Sequence, residues 1–208
     1  QTLEQDLTVG GVMWGKQKPE AWHSDNAGTD FYDVKGVVEE LAQWAGLNLT
    51  YAVLDDFAMH PGQSAGVLLD GEQIGRVGRL HPQVENTLDV EELYVFELDA
   101  LAILQRPKRG HGKVSRFPSV RRDIAVVVQQ DISAQTVLEV LAQGMGKLCT
   151  NITLFDVYQG DGIDSEEKSL AIGLTLQSQE NTLGEEEINA AAQTAIGLLE
   201  QHCGARLR

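Results

Sequence analysis

The second half of the chain carries the most regular alternation of apolar and polar positions. Every second residue from 170 to 176 is large and apolar, which predicts a strand with one buried face. Residues 123–129 are rich in β-branched side chains, as expected for a strand buried on both faces. Residues 151–158 predict a third strand, and residues 205–208 predict a short fourth one.

Two helices are predicted between these strands. Ser133 can cap a helix that ends at Gly144, and Thr182-x-x-Glu185 has the spacing of a capping box before a second helix. The apolar stripe of the second helix and the glycine that closes it are Ile188, Ala192, Ala195, Leu199 and Gly204. The resulting order, β-α-β-β-α-β, predicts a split-βαβ, ferredoxin-like sandwich.

The first half predicts a helix packed on a mostly antiparallel sheet. Thr29 or Asp30 can cap a helix over residues 31–45, whose apolar positions recur on one face, and Gly46 ends it. The turn Asp70-Gly71 between two apolar runs gives the clearest hairpin signal of the chain. Strands are predicted at 10–15, 50–54, 65–69, 73–80 and 94–98. This half is therefore expected to be an α+β layer.

Charge is distributed unevenly along the chain. The 208 residues have a net charge of −15, which at first argues against nucleic acid as a partner. The acidic excess lies in residues 1–105, whose net charge is −13, whereas residues 106–208 have a net charge of −2. Seven basic residues follow one another without an intervening acid: Arg106, Lys108, Arg109, Lys113, Arg116, Arg121 and Arg122. Because charges more than about 8–10 Å away are screened, such a local cluster can contact phosphate even on an acidic protein. The alternative is that these residues form a solvated linker.

Residues 106–112 combine proline, glycine and charge without periodicity, which is typical of a linker. We therefore predict domains at 1–105 and 113–208, joined by a linker at 106–112. No apolar run of about 18 residues predicts a membrane span, and no charged leader with an apolar core predicts a signal peptide. Cys149 and Cys203 have no metal or redox spacing and fit buried thiols in a reducing cytoplasm.

Residue types that carry catalysis or metal binding are present without the spacing that these functions need. The glycines between 71 and 78 match neither a dinucleotide fingerprint nor a phosphate loop, and the hairpin already requires them. His60 and His81 lack metal-ligand spacing, and Ser64 misses the nucleophile-elbow pattern by one position. We predict no catalytic and no metal-binding residue.

Four motifs in the second half occur in a characteristic order. They are the basic, proline-containing arm and strand at 115–128, then Phe155-Asp156-Val157-Tyr158-Gln159-Gly160, Lys168-Ser169-Leu170-Ala171, and Thr182-Leu183 leading into Glu185-Glu186-Glu187-Ile188. Together they resemble the ferredoxin-like anticodon-binding domain that closes the beta subunit of bacterial phenylalanine–tRNA ligase. One motif alone would be weak, but four in order along a whole domain are specific.

The first half resembles another module of the same subunit. The segments that carry this resemblance are Phe31-Tyr32-Asp33-Val34-Lys35-Gly36, His60-Pro61-Gly62, Ile74-Gly75-Arg76-Val77-Gly78 and Leu80-His81-Pro82. They are similar to a catalytic-like module that copies the fold of a class II synthetase core. The resemblance implies an α+β chain, with a class II synthetase-like antiparallel sheet module followed by the ferredoxin-like anticodon-binding domain. It also implies a C-terminal fragment of the beta subunit that is inactive by itself.

The resemblance further implies the working context of the chain. The whole ligase uses ATP and Mg²⁺, and its aminoacylation site lies on the alpha subunit of a two-alpha, two-beta assembly. The expected partners are tRNA for phenylalanine and the alpha subunit, in the cytoplasm. No cofactor, no DNA and no membrane are expected for this part of the subunit.

The resemblance and the residue chemistry together nominate five tRNA-binding residues. Tyr158 matches the tyrosine of the family's Phe-Asp-x-Tyr-x-Gly motif, which implies contact with the anticodon, and an aromatic ring at a strand end can stack a base. Arg116, Arg121 and Arg122 are candidates for phosphate or anticodon-stem contacts, and adjacent residues of a strand face opposite ways. Lys168 also matches, although Ser165-Glu166-Glu167 replaces the glycine usually found near it and would repel phosphate.

Two alternatives remain open at this point. Tyr158 could be a half-buried tyrosine whose hydroxyl is satisfied within the fold. The chain could also be a structural module with little RNA affinity of its own, because its acidic first half repels RNA. Trp14, Trp22 and Trp44 fit either the core of the first half or a surface that packs on a partner chain.

Overall fold

The computed structural model describes residues 6–23, 26–104 and 115–208. The chain divides into two compact units, Gln1–Gly110 and His111–Arg208, each with its own hydrophobic core. The predicted linker at 106–112 and the basic residues Arg106, Lys108, Arg109 and Lys113 lie outside the described residues. Within the described ranges, no helix is long and apolar enough to cross a membrane.

The first unit is a five-stranded antiparallel sheet with one long helix packed on it. Its elements are β1 (Thr8–Met13), α1 (Phe31–Ala45), β2 (Leu49–Ala52), β3 (Met59–Leu69), β4 (Glu72–Leu80), α2 (Pro82–Leu88), β5 (Tyr94–Asp99) and α3 (Ala100–Leu104). The strand order is β1-β5-β4-β3-β2, and every neighbouring pair is antiparallel. Val34 and Val38 of α1 are fully buried against Val67, Val77 and Leu98 of the sheet. The expected α+β layer is confirmed.

The ends of α1 show how the local sequence fixes it. The Asp30 carboxylate accepts the backbone N–H groups of Tyr32 and Asp33, and the Asp33 carboxylate accepts the N–H of Asp30, so Asp30 rather than Thr29 is the cap. Gly46 closes the helix in the left-handed conformation, with φ of 76°. The short helices α2 and α3 were not predicted, because five to seven residues give too little apolar periodicity to detect.

The predicted hairpin joins β3 and β4. Asp70 and Gly71 have φ of 52° and 88°, which is the mirror-image turn that suits the twist of paired strands. Gly75 and Gly78 lie where strands approach closely: a Cβ at Gly75 would stand 2.1 Å from the Glu97 carbonyl oxygen. These glycines therefore serve strand packing.

The second unit has the predicted β-α-β-β-α-β order. Its elements are β6 (Val120–Gln129), α4 (Ala134–Gly144), a 3-10 turn (Gly146–Leu148), β7 (Cys149–Tyr158), β8 (Glu167–Leu176), α5 (Glu185–Cys203) and β9 (Arg206–Leu207). The strand order is β7-β8-β6-β9 and all pairs are antiparallel. Because β8 is inserted between β6 and β7, the unit is a split βαβ of the ferredoxin-like type, as the sequence predicted.

Both helices of the second unit cover one face of its sheet. Val137 and Leu141 of α4 and Ala195 and Leu199 of α5 are fully buried against β8, which contributes every second residue from Leu170 to Leu176. Among the described residues no helix covers the opposite face, which we call the open sheet face. Residues 126–128 of β6 are buried on both sides, whereas Arg121 and Asp123 are exposed, so the two-sided burial predicted for 123–129 holds only at the end of the strand.

One predicted helix end is confirmed and one helix start needs correction. α4 ends at Gly144 as predicted, but Gly144 is itself helical, and the capping residue after it is Met145 in a right-handed conformation. A Cβ at Gly144 would lie 2.4 Å from Leu198, so the glycine permits close packing of α4 on α5. The capping box at Thr182 and Glu185 is wrong: α5 is capped at Gly184, whose N–H donates to the Glu187 carboxylate. Leu183 is buried in the core, and the helix begins two residues later than the pattern suggested.

Candidate nucleic-acid interface

The register of the second sheet determines which side chains share the open sheet face. Val126 and Val128 belong to the core under the helices, so Val127 between them faces the other way. Its cross-strand partners are Ser169 in β8 and Arg206 in β9, and Ser169 is in turn paired with Tyr158 in β7. Directly paired residues point to the same side of a sheet. Tyr158 and Arg206 therefore both lie on the open sheet face.

Tyr158 is half-buried at the end of β7 and is held at both ends of its side chain. Its hydroxyl donates to the Asp161 carbonyl oxygen at 3.3 Å. The loop passes so close that a Cβ at Gly160 would lie 3.0 Å from the Tyr158 hydroxyl oxygen. The guanidinium of Arg208 stands over the ring, 4.9 Å from its centroid. In the free chain the tyrosine thus has its hydroxyl satisfied and a ring face occupied by an arginine.

A second arginine–aromatic pair lies on the same face. Arg121 in β6 is paired with Thr175 in the neighbouring strand β8. Its Nε donates to the Asp123 carboxylate at 2.8 Å, and its guanidinium lies 5.0 Å from the centroid of the Phe155 ring. Phe155 is half exposed because a β-bulge between Leu154 and Asp156 redirects it. Phe155 belongs to the motif at 155–160 but was not predicted as a site residue.

The other predicted residues lie elsewhere. Arg122 is paired with Leu174 and Lys168 with Val128, and both partners belong to the core, so these two side chains start from the helix side of the sheet. The Lys168 ammonium donates to the Gln130 carbonyl oxygen at 2.8 Å. Arg121 and Arg122 do face opposite ways. RNA contact by Arg122 and Lys168 stays a prediction, and it requires a surface other than the open sheet face.

Arg116 lies in the segment that leads into β6 and is exposed. The neighbouring chain is anchored, because the Ser115 hydroxyl donates to the Ser178 carbonyl oxygen at 2.6 Å and Gln177 donates to the carbonyl of Phe117. The arm is thus fixed at its described end while the Arg116 charge stays in solvent.

The two arginines at the end of the chain, Arg206 and Arg208, were not predicted as site residues. Arg206 donates to the Glu167 carboxylate, which holds the pKa of Arg206 above its usual value. Arg208 keeps the strand paired through its backbone N–H, which donates to the Ala125 carbonyl oxygen at 3.0 Å. The alternation Arg206-Leu207-Arg208 in a predicted strand was the signal that both side chains share one face.

The open sheet face is nearly balanced in charge. Its arginines at 121, 206 and 208 are matched by Asp123, Asp156 and Glu167, and two of the arginines are bonded to these acids. The face also carries two aromatic rings. This arrangement favours recognition of unpaired bases by stacking over general attraction to phosphate.

His60, His81 and Ser64 of the first unit make hydrogen bonds within the fold. His60 Nδ1 accepts the N–H of Gly62, and His81 Nδ1 accepts the N–H of Gln83 at the start of α2. The Ser64 hydroxyl donates to the His60 carbonyl oxygen at 2.7 Å. In the described parts of the chain, no group of three histidine, cysteine or acidic side chains is placed to hold a metal ion. Both cysteines are free thiols.

The three tryptophans do not belong to the core of the first unit. Trp14 and Trp44 are mostly exposed, and Trp22 is 97% exposed with its ring packed edge-on against His23. The core interpretation is therefore wrong, and the second interpretation, a surface for a partner chain, remains. Val53 and Phe57 are also almost fully exposed in the same unit.

Comparison with known proteins assigns both units. Residues 115–208 match the family model of the ferredoxin-fold anticodon binding domain, and residues 1–100 match that of the phenylalanyl tRNA synthetase beta chain CLM domain. The two models together leave only residues 101–114 uncovered. The chain belongs to the phenylalanyl-tRNA synthetase beta-chain family. This confirms the resemblance inferred from the motifs, including its assignment to the C-terminal region of that subunit.

Curated relatives agree with the family models. The chain is 40% identical over 209 residues to a phenylalanine–tRNA ligase beta subunit of Pseudomonas fluorescens, and 39% identical to those of Hahella chejuensis and Pasteurella multocida. Each alignment covers 99% of this chain and 26% of the relative. The chain thus spans about a quarter of the length of these beta subunits.

Among solved structures, a chain in the cryo-EM structure of Arabidopsis thaliana MSL1 A320V is similar at 13% identity, covering 85% of this chain and 61% of that one. Its TM-score of 0.26 is too low to support an argument about fold or function.

Proposed function

We propose that the second unit binds the anticodon stem-loop of tRNA for phenylalanine through the open sheet face. The observation that carries this proposal is the position of Tyr158, whose ring lies on a sheet face that no helix covers among the described residues. Phe155 adds a second ring on the same face, and Arg121 places positive charge beside that ring. Arg116 adds an exposed positive charge in the segment that leads into β6. Rings with flanking arginines are the usual means of holding unpaired bases.

The role of this binding is positional. By holding the anticodon end of the tRNA, the chain would orient the acceptor end toward an active site on the alpha subunit, in a cytoplasmic ligase that uses ATP and Mg²⁺. We expect the chain alone to have no aminoacylation activity and to need no cofactor. Turnover above background by the purified chain would contradict this expectation.

The test is a titration of labelled tRNA for phenylalanine with the 208-residue chain at about 50 and 150 mM salt. Replacing Tyr158 with alanine removes a stacking platform worth roughly 1–3 kcal/mol per base, so we expect affinity to fall by roughly 5- to 150-fold. Val157→Ala is the matched control, because Val157 is exposed but paired with Leu170 on the helix side. A tRNA with an altered anticodon should bind the wild type as weakly as normal tRNA binds Tyr158→Ala.

The exposed aromatic residues of the first unit favour a second role, assembly with the alpha subunit. Large apolar side chains that stay in solvent commonly mark a protein interface, and aromatic residues are enriched in such interfaces. Trp14→Ala and Trp22→Ala should weaken co-elution of the chain with the alpha subunit, while Val157→Ala should not. A stable complex with the alpha subunit, combined with no tRNA binding at either salt concentration, would favour assembly as the only role.

A further inference from the structure

The three arginines of the open sheet face differ in how they are held. Arg121 is bonded to Asp123 and Arg206 to Glu167. Arg208 has no carboxylate within ion-pair distance among the described residues, and its guanidinium contacts the Tyr158 ring. It is therefore the one guanidinium on the described part of this face that an anion can take without displacing an acid.

The backbone of Arg208 is fixed by strand pairing, while its side chain is free to change rotamer. Its N–H donates to the Ala125 carbonyl oxygen at 3.0 Å, directly after the pairs that join β9 to β6. The guanidinium can leave the ring by rotating side-chain bonds, with the strand pairing intact. Tyr158 would not follow, because its hydroxyl is bonded to the Asp161 carbonyl oxygen.

A base that stacks on Tyr158 needs a ring face that Arg208 now occupies. Stacking of a base on an aromatic side chain is generally stronger than an exposed contact between a cation and a ring. A displaced guanidinium can also form paired hydrogen bonds with a phosphate, which is the geometry that arginine suits best. Exchange of the arginine for a base is therefore favourable both for the Tyr158 ring, which gains a stacked base, and for the Arg208 guanidinium, which gains a phosphate.

We propose that Arg208 is a phosphate-binding residue that covers the Tyr158 ring in the free protein and transfers to the backbone of the nucleotide whose base replaces it. This rests on the proposed tRNA-binding function and adds a residue and a sequence of events to it. The ligand class is an unpaired nucleotide with its own phosphate. A free base could stack on the Tyr158 ring but would offer no phosphate for Arg208 to bind.

The salt dependence of binding separates this role from simple packing. Each phosphate contact contributes about 0.7 to the slope of log affinity against log salt for single strands. Arg208→Ala should lower that slope by about this amount for a labelled phenylalanine anticodon stem-loop, and Arg208→Lys should keep most of it. Lys147→Ala is the matched control, because it removes one exposed positive charge from the 3-10 turn, which lies outside the open sheet face, and should leave the slope unchanged.

A second measurement reports the covered state without RNA. In the free chain, the Arg208 Nε–H resonance should show a ring-current shift that disappears in Tyr158→Ala. Adding the stem-loop should remove the same shift in the wild type. These results, with the reduced slope of Arg208→Ala, would support the exchange.

Other results would overturn it. If Tyr158→Ala weakens binding but Arg208→Ala leaves the slope unchanged, the tRNA-binding function stands and the role of Arg208 is refuted. If the resonance keeps its shift in the complex, the arginine does not leave the ring and the exchange is refuted. If the wild type binds no stem-loop at any salt concentration, both proposals fail together, which the first two outcomes do not produce.

Discussion

The guanidinium of Arg121 lies 5.0 Å from the Phe155 ring and across the backbone of Gly173. A Cβ at position 173 would come within 2.8 Å of two guanidinium nitrogens, so the absence of a side chain there lets the arginine lie flat between Asp123 and the ring. Gly173 in β8 thus makes room for the observed orientation of the Arg121 guanidinium in β6. It affects the position of the positive charge and not its size.

Gly173→Ala tests whether this orientation matters. The clash involves the end of a flexible side chain, so Arg121 should move away at a cost of less than about 1 kcal/mol in stability. Affinity for tRNA should fall, but by less than in Arg121→Ala, because the charge is retained. The measurements are the melting temperature and a titration at two salt concentrations. Gly197→Ala, which meets nothing within 4 Å in α5, should leave binding unchanged. Equal affinity of Gly173→Ala and wild type, with Arg121→Ala weakened, would show that only the charge counts.

A pair of glycines in the first unit should respond in opposite directions to alanine. At Gly36 in α1 a Cβ meets nothing within 4 Å, so Gly36→Ala should stabilise the unit by about 0.5–1 kcal/mol through helix propensity. At Gly75 a Cβ would overlap the Glu97 carbonyl oxygen, a backbone atom, so Gly75→Ala should cost about 3 kcal/mol. Calorimetric melting of the two variants measures whether stability rises in Gly36→Ala and falls in Gly75→Ala. A neutral Gly75→Ala would mean that β4 and β5 can separate without loss.

Most of the fold could be predicted because its signals are local. The hairpin at Asp70-Gly71, the cap at Ser133 and the alternation in β8 each depend on a few neighbouring residues. The order of elements then leaves few topologies for the second unit. Short elements such as α3 could not be predicted, because five residues next to a strand carry no period of their own.

The candidate site was only half predictable. Tyr158 and Arg121 could be named from motif and strand pattern, but the partners that hold them are distant in sequence. Arg208 meets Tyr158 only because β9 pairs with β6, and Phe155 reaches Arg121 only because of a bulge in β7. Sheet register and bulges depend on how the whole domain packs, so they cannot be predicted from local patterns in one sequence.

The start of α5 provides a test of the corrected cap. The Glu187 carboxylate accepts the N–H of Gly184 at 2.9 Å, so Glu187→Ala should lower the stability of the second unit by about 0.5–2 kcal/mol. Glu185→Ala removes a charge from the same helix turn but not this hydrogen bond, and should cost less. Urea unfolding of the two variants measures the difference. Equal losses would mean that the helix dipole, rather than the cap, accounts for the effect.

The buried pair of Arg79 and Glu85 should control the acid stability of the first unit. Glu85 is 3% exposed, and its carboxylate accepts two hydrogen bonds from Arg79, at 3.0 and 2.8 Å, and one from the N–H of Leu93. The Arg79 guanidinium, helped by the Leu93 N–H, holds the pKa of Glu85 below its usual value, although burial opposes this. A glutamate with a lowered pKa in the folded state binds a proton more readily when unfolded.

The resulting stability is therefore complete above the unfolded pKa of about 4.3 and is lost as pH falls through the lower folded pKa. Glu85→Gln should cost about 3 kcal/mol at neutral pH, because it leaves the largely buried Arg79 with the exposed Glu92 carboxylate, 3.8 Å away, as its remaining anion. It should also flatten the fall in stability below pH ~4.3. Melting temperatures from pH 7 to pH 3 measure both effects, with the exposed Glu91→Gln as the control. If wild type and Glu85→Gln lose stability in parallel on acidification, other carboxylates set the acid limit, because the titration of Glu85 would then add nothing to the slope.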